Sequence, residues 1–232
     1  MHILRKGLRA LPVLFLRLMK KECAPGEDAM NMSGLVAKTR TVRRFQEDRA
    51  LDMQLMRELI DLARLSGSAR NAQALQYMPV LDKDLRSRIF PHLAWAGYLA
   101  NWPGPGAGER PAGYIVCLAN SEWQKGPDTE LYCDLGIASQ SMLLAAGARG
   151  VSGCRIGAFK AVLHELLRLR AQQLILLVLA LGYPAEEVVL EEVGTEGDIR
   201  YWHDEMGVHH VPKRALQEVL LPPPELSSQP SG

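Results

Sequence analysis

Arg40-Thr41-Val42-Arg43-Arg44-Phe45, read with Pro212-Lys213-Arg214 about 170 residues later, decides how this chain has to fold. Both are small basic clusters in a chain whose 27 basic and 26 acidic side chains otherwise leave a formal charge of +1. An arginine's planar fork pairs two phosphate oxygens at once, and lysine adds a compact point charge, so each cluster has the makings of a phosphate grip. Taken singly, either is more simply a solvated basic patch. Only a fold that brings the two ends together lets both close on one anion.

Outward from these clusters, the totals describe one domain. At 232 residues with 47% hydrophobic side chains the chain can bury a full core. Its near-neutral charge gives no general pointer to nucleic acid. Cys23, Cys117, Cys133 and Cys154 lack CxxC spacing, which argues against a zinc ribbon or a disulfide framework and fits reduced thiols in the cytoplasm. Cys117 and Cys133 are expected to be buried packing residues.

Residues 1–32 read as a separate basic extension, with Arg5, Lys6, Arg9, Arg17, Lys20 and Lys21 against Glu22, Glu27 and Asp28. Its apolar run, Leu11 to Leu16, is too short to span a bilayer and is broken by Arg17. A loosely ordered extension is favoured over a basic membrane-surface helix, so membrane contact is not expected. Residues 33–221 form the folded domain, and 222–232 a flexible proline- and serine-rich tail.

Within the domain, Asp52 reads as the N-cap of a helix bearing Leu55, Met56, Leu59, Ile60, Leu62 and Ala63 on one face. Tyr77 to Leu81 reads as a strand, with Pro79 placing it at an edge. Leu93 to Pro111 is a long loop rich in aromatic residues, Gly and Pro. Tyr114 to Ala119 is a buried strand, Asp128 caps a helix running to Ala148, and Ala158 to Arg170 is another helix. Leu174 to Leu181, eight nearly continuous apolar residues stopped by Gly182-Tyr183-Pro184, is a central strand. Helices and strands mixed without strict alternation predict an α+β fold, with helices packed on a small, mostly antiparallel sheet.

Three further segments carry candidate chemistry. Ser68-Ala69-Arg70-Asn71-Ala72-Gln73 offers carboxamides suited to a polar heterocycle edge, although turn chemistry alone explains Ser and Asn there. Gly147 to Gly157 spaces its glycines as GxxGxxG, which is neither a dinucleotide fingerprint nor a P-loop, and leaves a loop rich in free backbone N–H. Cys154 has no neighbouring histidine in the sequence to activate it. His203, His209 and His210 with Asp204 and Glu205 match no standard metal spacing, and no metal is expected.

Taken in order, these pieces resemble the nitroreductase family of flavin-dependent oxidoreductases over Leu35 to Leu221. Arg40 to Phe45 resembles the family's R-[ST]-x-R-x-F element, which assigns Arg40, Thr41 and Arg43 to the FMN phosphate. Ser68 to Gln73 resembles S-x-x-N-x-Q-P, assigning Ser68, Asn71 and Gln73 to the ribityl chain and ring. Asp134-Leu135-Gly136-Ile137-Ala138-Ser139-Gln140 resembles the D-x-G-x-A-x-Q helix at the dimer core. Val151, Ser152 and Gly153 fall where family backbone meets the flavin ring. Leu181 to Pro184 resembles the "lGyP" strand end, and Lys213 and Arg214 the carboxy-terminal phosphate contacts.

Two departures stand out: Ala74 occupies the proline position, and Arg70 is large and charged where the family is often small. The resemblance implies a domain-entwined homodimer with FMN between subunits. It implies NADH or NADPH as reductant and a small electrophilic acceptor such as a nitroaromatic or quinone. Trp95, Tyr98, Trp102 and Arg70 would then line the substrate pocket. The alternatives are another flavin reaction on the same scaffold, dehalogenation or flavin fragmentation, and a non-catalytic flavin-binding protein.

Overall fold

The computed structural model describes residues 31–99, 102–194 and 196–224; the basic extension and the end of the tail lie outside them. Its centre is a four-stranded sheet of β1 (Leu75–Val80), β2 (Gly113–Asn120), β3 (Ser152–Ile156) and β4 (Gln173–Gly182), antiparallel throughout in the order β1-β2-β4-β3. The apolar run from Leu174 thus becomes an interior strand, and Pro79 sits on the edge strand, where a missing N–H costs least.

Both faces of this sheet are covered, which is why every residue of β2 is buried. Side chains of a strand alternate faces. Ile115 and Cys117 of β2, with Leu179 and Leu181 of β4, therefore share one core with α2 (Met53–Leu65) and α4 (Asp128–Gly147). Tyr114, Val116 and Leu118, with Val178 and Ala180, share the other with Val42, Phe45, Ile89 and Leu163. Ile89 ends α3 (Lys83–Ile89), and Leu163 belongs to the short α5 (Val162–Leu166). Ahead of these helices lies α1 (Met32–Lys38), and Asp52 caps α2 by accepting the Leu55 N–H at 2.6 Å.

A second sheet follows β4. It comprises β5 (Val188–Val193), β6 (Trp202–His203) and β7 (His209–Arg214) in the order β5-β7-β6, with β5 and β7 parallel. The chain then ends its described part in α6 (Leu216–Val219), whose Leu216 and Val219 are exposed. Among the described residues no helix is long and apolar enough to cross a membrane.

Several expectations change. The glycine segment after Gly147 contains β3, because Gly153 lets β3 press on β4: a Cβ there would meet Ala180 O, Leu143 Cδ2 and Leu181 Cδ2, each at 2.8 Å. The helix expected from Ala158 to Arg170 is confined to α5; Phe159 instead bridges to Leu93, and Arg168 has φ 51°. Asp128 is the first residue of α4 rather than its cap, which is Pro127. Cys117 is buried, whereas Cys133 lies exposed on α4.

A basic cavity between the two ends of the chain

The Arg40–Phe45 segment lies beside β3, with Thr41 bridging Gly153 and the Val42 N–H donating to the Gly153 carbonyl at 3.2 Å. Val42 and Phe45 plug into the core, and Phe45 bridges Pro184 just beyond β4. Two residues past Pro184, the carboxylate of Glu186 accepts the backbone N–H groups of both Arg43 and Arg44. The parallel pairing of β5 with β7 then brings Lys213 to the same place.

The result is a cavity of about 370 Å³ lined by Arg40, Thr41 and Arg43 from one end of the chain and Lys213 from the other. Arg155 of β3, Gln140 of α4, Tyr201 and His209 complete much of its wall. Lys213 shares its strand face with Val211 and His209, which also line the cavity. Arg214, one residue on, belongs to the opposite face and pairs with Glu218 at 3.7 Å, so it takes no part in the lining. Gln140 closes the D-x-G-x-A-x-Q element, which pointed to the dimer core and not to this cavity, and no motif singled out Arg155 or Tyr201; for His209, period-two alternation along 209–213 was the available signal.

Among the described residues no carboxylate lines this cavity. Arg40 donates to the carbonyls of Val36 at 2.6 Å and Thr39 at 2.8 Å. Arg155 donates to Ser139 Oγ at 2.9 Å and Gln140 Oε1 at 2.7 Å. The Arg43 guanidinium lies 4.4 Å above the Tyr201 ring, with Nε and Nη1 buried and unpartnered. Elsewhere arginines find acids: Arg44 with Glu109, Arg70 with Glu130, Arg149 with Glu58. Burial, with the like charge of Arg40 adding, lowers the pKa of Arg155. Donors and positive charge converge here with only neutral acceptors beside them, an arrangement that suits an oxyanion.

Behind the cavity, Glu186, His203 and His209 bring ligand atoms within 4.8 Å of one another. Two features oppose a cation there: Glu186 Oε1 already accepts two backbone N–H groups, and Arg43 acts on His209 with positive charge. Burial chiefly, and then Arg43, pulls the pKa of His209 down to about 4 against the opposing pull of Glu186.

The Ser68–Gln73 segment lines a different cavity, of about 610 Å³, through Ser68, Ala72 and Gln73. Its backbone is strained: Arg70, Asn71 and Gln73 have φ of 55°, 50° and 51°. Asp134 of α4, itself buried, holds it by accepting Ser68 Oγ at 2.8 Å and the Ala69 N–H at 2.9 Å. Arg70 turns to Glu130 in a two-pronged pair at 2.8 and 2.9 Å, which accounts for its charge and takes it off the lining of either cavity. Asn71 is exposed and lies outside both linings as well.

The nitroreductase family profile matches residues 36–183, well over half of the chain. This chain belongs to the nitroreductase family. It is 25% identical over 154 residues to an Archaeoglobus fulgidus protein named NADH dehydrogenase/NAD(P)H nitroreductase, covering 64% of this chain and 83% of that protein. A Desulfovibrio desulfuricans nitroreductase solved in complex with FMN superposes with a TM-score of 0.59 at 21% identity, over 82% of this chain and 95% of that one. A nitroreductase family protein from Clostridium novyi gives 0.56 at 23% identity, over 67% and 86%. These structures share the fold.

Other positions matched to family motifs have varied places in this chain. Val151 is fully buried and Gly153 is committed to the contact with β4, leaving Ser152 half-buried. Ala74, at the proline position, is buried and its carbonyl accepts the Asn120 N–H at 2.8 Å. Trp95 packs on Phe90, ring centroids 5.6 Å apart, under the second core. Tyr98 is exposed and lies tilted against Tyr201, the ring beneath Arg43, with centroids 5.1 Å apart, so the aromatic loop reaches the basic cavity through it. Trp102 is half-buried and lines neither cavity. Burial raises the Cys154 thiol to about 11, which removes it as a nucleophile.

Proposed function

We propose that this chain is an FMN-dependent oxidoreductase that passes hydride from NADH or NADPH to a small electrophilic acceptor of the nitroaromatic or quinone type. The observation that carries this reading is the convergence of Arg40, Arg43 and Lys213 on a cavity without a carboxylate. A phosphomonoester dianion supplies the acceptors these donors lack, and the Thr41 side chain adds a hydroxyl.

FMN, when bound, supplies the hydride-accepting centre, so the protein needs no nucleophile of its own. The residues' work is to hold and orient. Arg40, Arg43 and Lys213 neutralise the phosphate, while Ser68 and Gln73 offer hydroxyl and carboxamide groups to polar edges. Asp134 keeps their strained loop in place.

The two cavities have no lining residue in common. On α4 the first is lined by Asp134 and Ala138, the second by Gln140 and Leu143. At 3.6 residues per turn those pairs point roughly 120–180° apart, on nearly opposite sides of the helix. A site using both therefore takes the basic cavity of one protomer and the Ser68–Gln73 loop of another, which supports a homodimer with FMN between subunits. Exposed Tyr132 and Ile137 on α4 are apolar surface available to such an interface.

The purified protein should be yellow and should bleach anaerobically on addition of NADH or NADPH, with reoxidation by a quinone or nitroaromatic. Protein that stays colourless and takes up no added FMN refutes the reading. Flavin consumed in turnover marks fragmentation instead, and bound flavin that neither nicotinamide reduces marks a non-catalytic binder.

A further inference from the structure

We propose that Arg155 is a further phosphate-binding residue, a fourth cation supplied by the middle of the chain; this rests on the FMN reading of the basic cavity. Arg155 stands on β3, between the Gly153 contact and the buried Ile156, and its side chain lines the cavity with Arg40, Arg43 and Lys213. Among the described residues it has no ion-pair partner. Its two anchors, Ser139 Oγ and Gln140 Oε1, are neutral acceptors on one turn of α4. They fix the plane of the guanidinium through Nε and one terminal nitrogen and leave its charge uncompensated. Arg40 is close enough to depress the pKa of Arg155. Two like charges held together beside a cavity, with no acid between them, are a standing repulsion that a bound dianion turns into attraction.

The assignment also gives Ser139 and Gln140 a task. They hold a cation in the wall of the basic cavity, so α4 supports both cavities: Asp134 positions the Ser68–Gln73 loop and Ser139–Gln140 positions Arg155. A purely structural Arg155 would cross-link α4 to β3 and nothing more. The two roles differ in what the ligand must carry: a phosphate-binding arginine discriminates FMN from riboflavin, a cross-link does not.

The test measures FMN and riboflavin affinity by flavin fluorescence for the full-length wild type, Arg155→Ala and Arg155→Lys. Arg155→Ala should weaken FMN about tenfold to a hundredfold and leave riboflavin within about twofold. Arg155→Lys should restore part of the FMN affinity, since it keeps charge but loses the fork. Unchanged FMN binding, or equal losses for both flavins, overturns the assignment. Thermal melting with inorganic phosphate separates this from the parent reading. If wild type takes no FMN but is stabilised by phosphate, and Arg155→Ala loses that stabilisation, the flavin reading falls and the anion role stands. If phosphate stabilises wild type and Arg155→Ala alike, or neither, the role is rejected.

Discussion

One oxygen of Glu186 accepts the backbone N–H of Arg44 at 3.2 Å and also that of Arg43, tying the segment after β4 to the residues that face the basic cavity. The Glu186 side chain is 2% exposed, so this carboxylate is committed to the contact and not to solvent. Glu186→Ala leaves two backbone donors without a partner in a part-buried site. It should cost about 1–3 kcal/mol of stability, read by urea unfolding, and weaken FMN binding. Full retention of both would show that the Arg43 backbone holds its conformation unaided.

The two residues at the end of β7 should separate cleanly. Lys213→Ala removes a cavity charge and is expected to weaken FMN about tenfold, whereas Arg214→Ala, which breaks the part-buried pair with Glu218 away from the cavity, should change it less than twofold. Fluorescence titration of the two variants side by side decides it; equal effects would contradict the strand's alternation.

Gly153→Ala tests the packing that places β3. A Cβ at this position meets one backbone oxygen and two leucine methyls at 2.8 Å, and backbone cannot swing away as a side-chain tip can. Destabilisation of about 1–3 kcal/mol is expected by urea unfolding, with FMN affinity falling too because Thr41 and Arg155 both hang on this strand. A variant as stable as wild type would mean the strands can separate at no cost.

The stability of flavin-free protein should depend on pH through His209. Its folded pKa of about 4 lies below the usual histidine value near 6.5. The unfolded chain therefore binds the proton first. Stability from this residue is whole above about pH 6.5 and is lost as pH falls toward 4. Urea midpoints at pH 7.5 and 5 should show the decline, and His209→Gln should flatten it. A variant with an unaltered slope would assign the effect elsewhere.

Legibility in the sequence followed the range of the interaction. The α2 helix was readable because Asp52 and the spacing of Leu55, Met56 and Leu59 are local signals. β4 was readable because its apolar run is continuous, and its second half, Val178 to Gly182, is buried on both faces. β3 was hidden: its glycines suggest a loop when taken alone, and only the approach of β4 explains Gly153. The second sheet was hidden too, since β5 and β6 find their partner β7 across irregular, polar chain.

By itself, the sequence determined the α+β class, the family and the pair of basic clusters, because periodicity, capping and motif order are written within short windows. Which cations share the cavity was decided in three dimensions. The pleat of β7 sends Lys213 inward and Arg214 to Glu218, Glu130 draws Arg70 away, and β3 delivers Arg155. Charge is a property of the residue; where it points depends on strand register and on which acid lies within reach, and both arise only when distant segments pack.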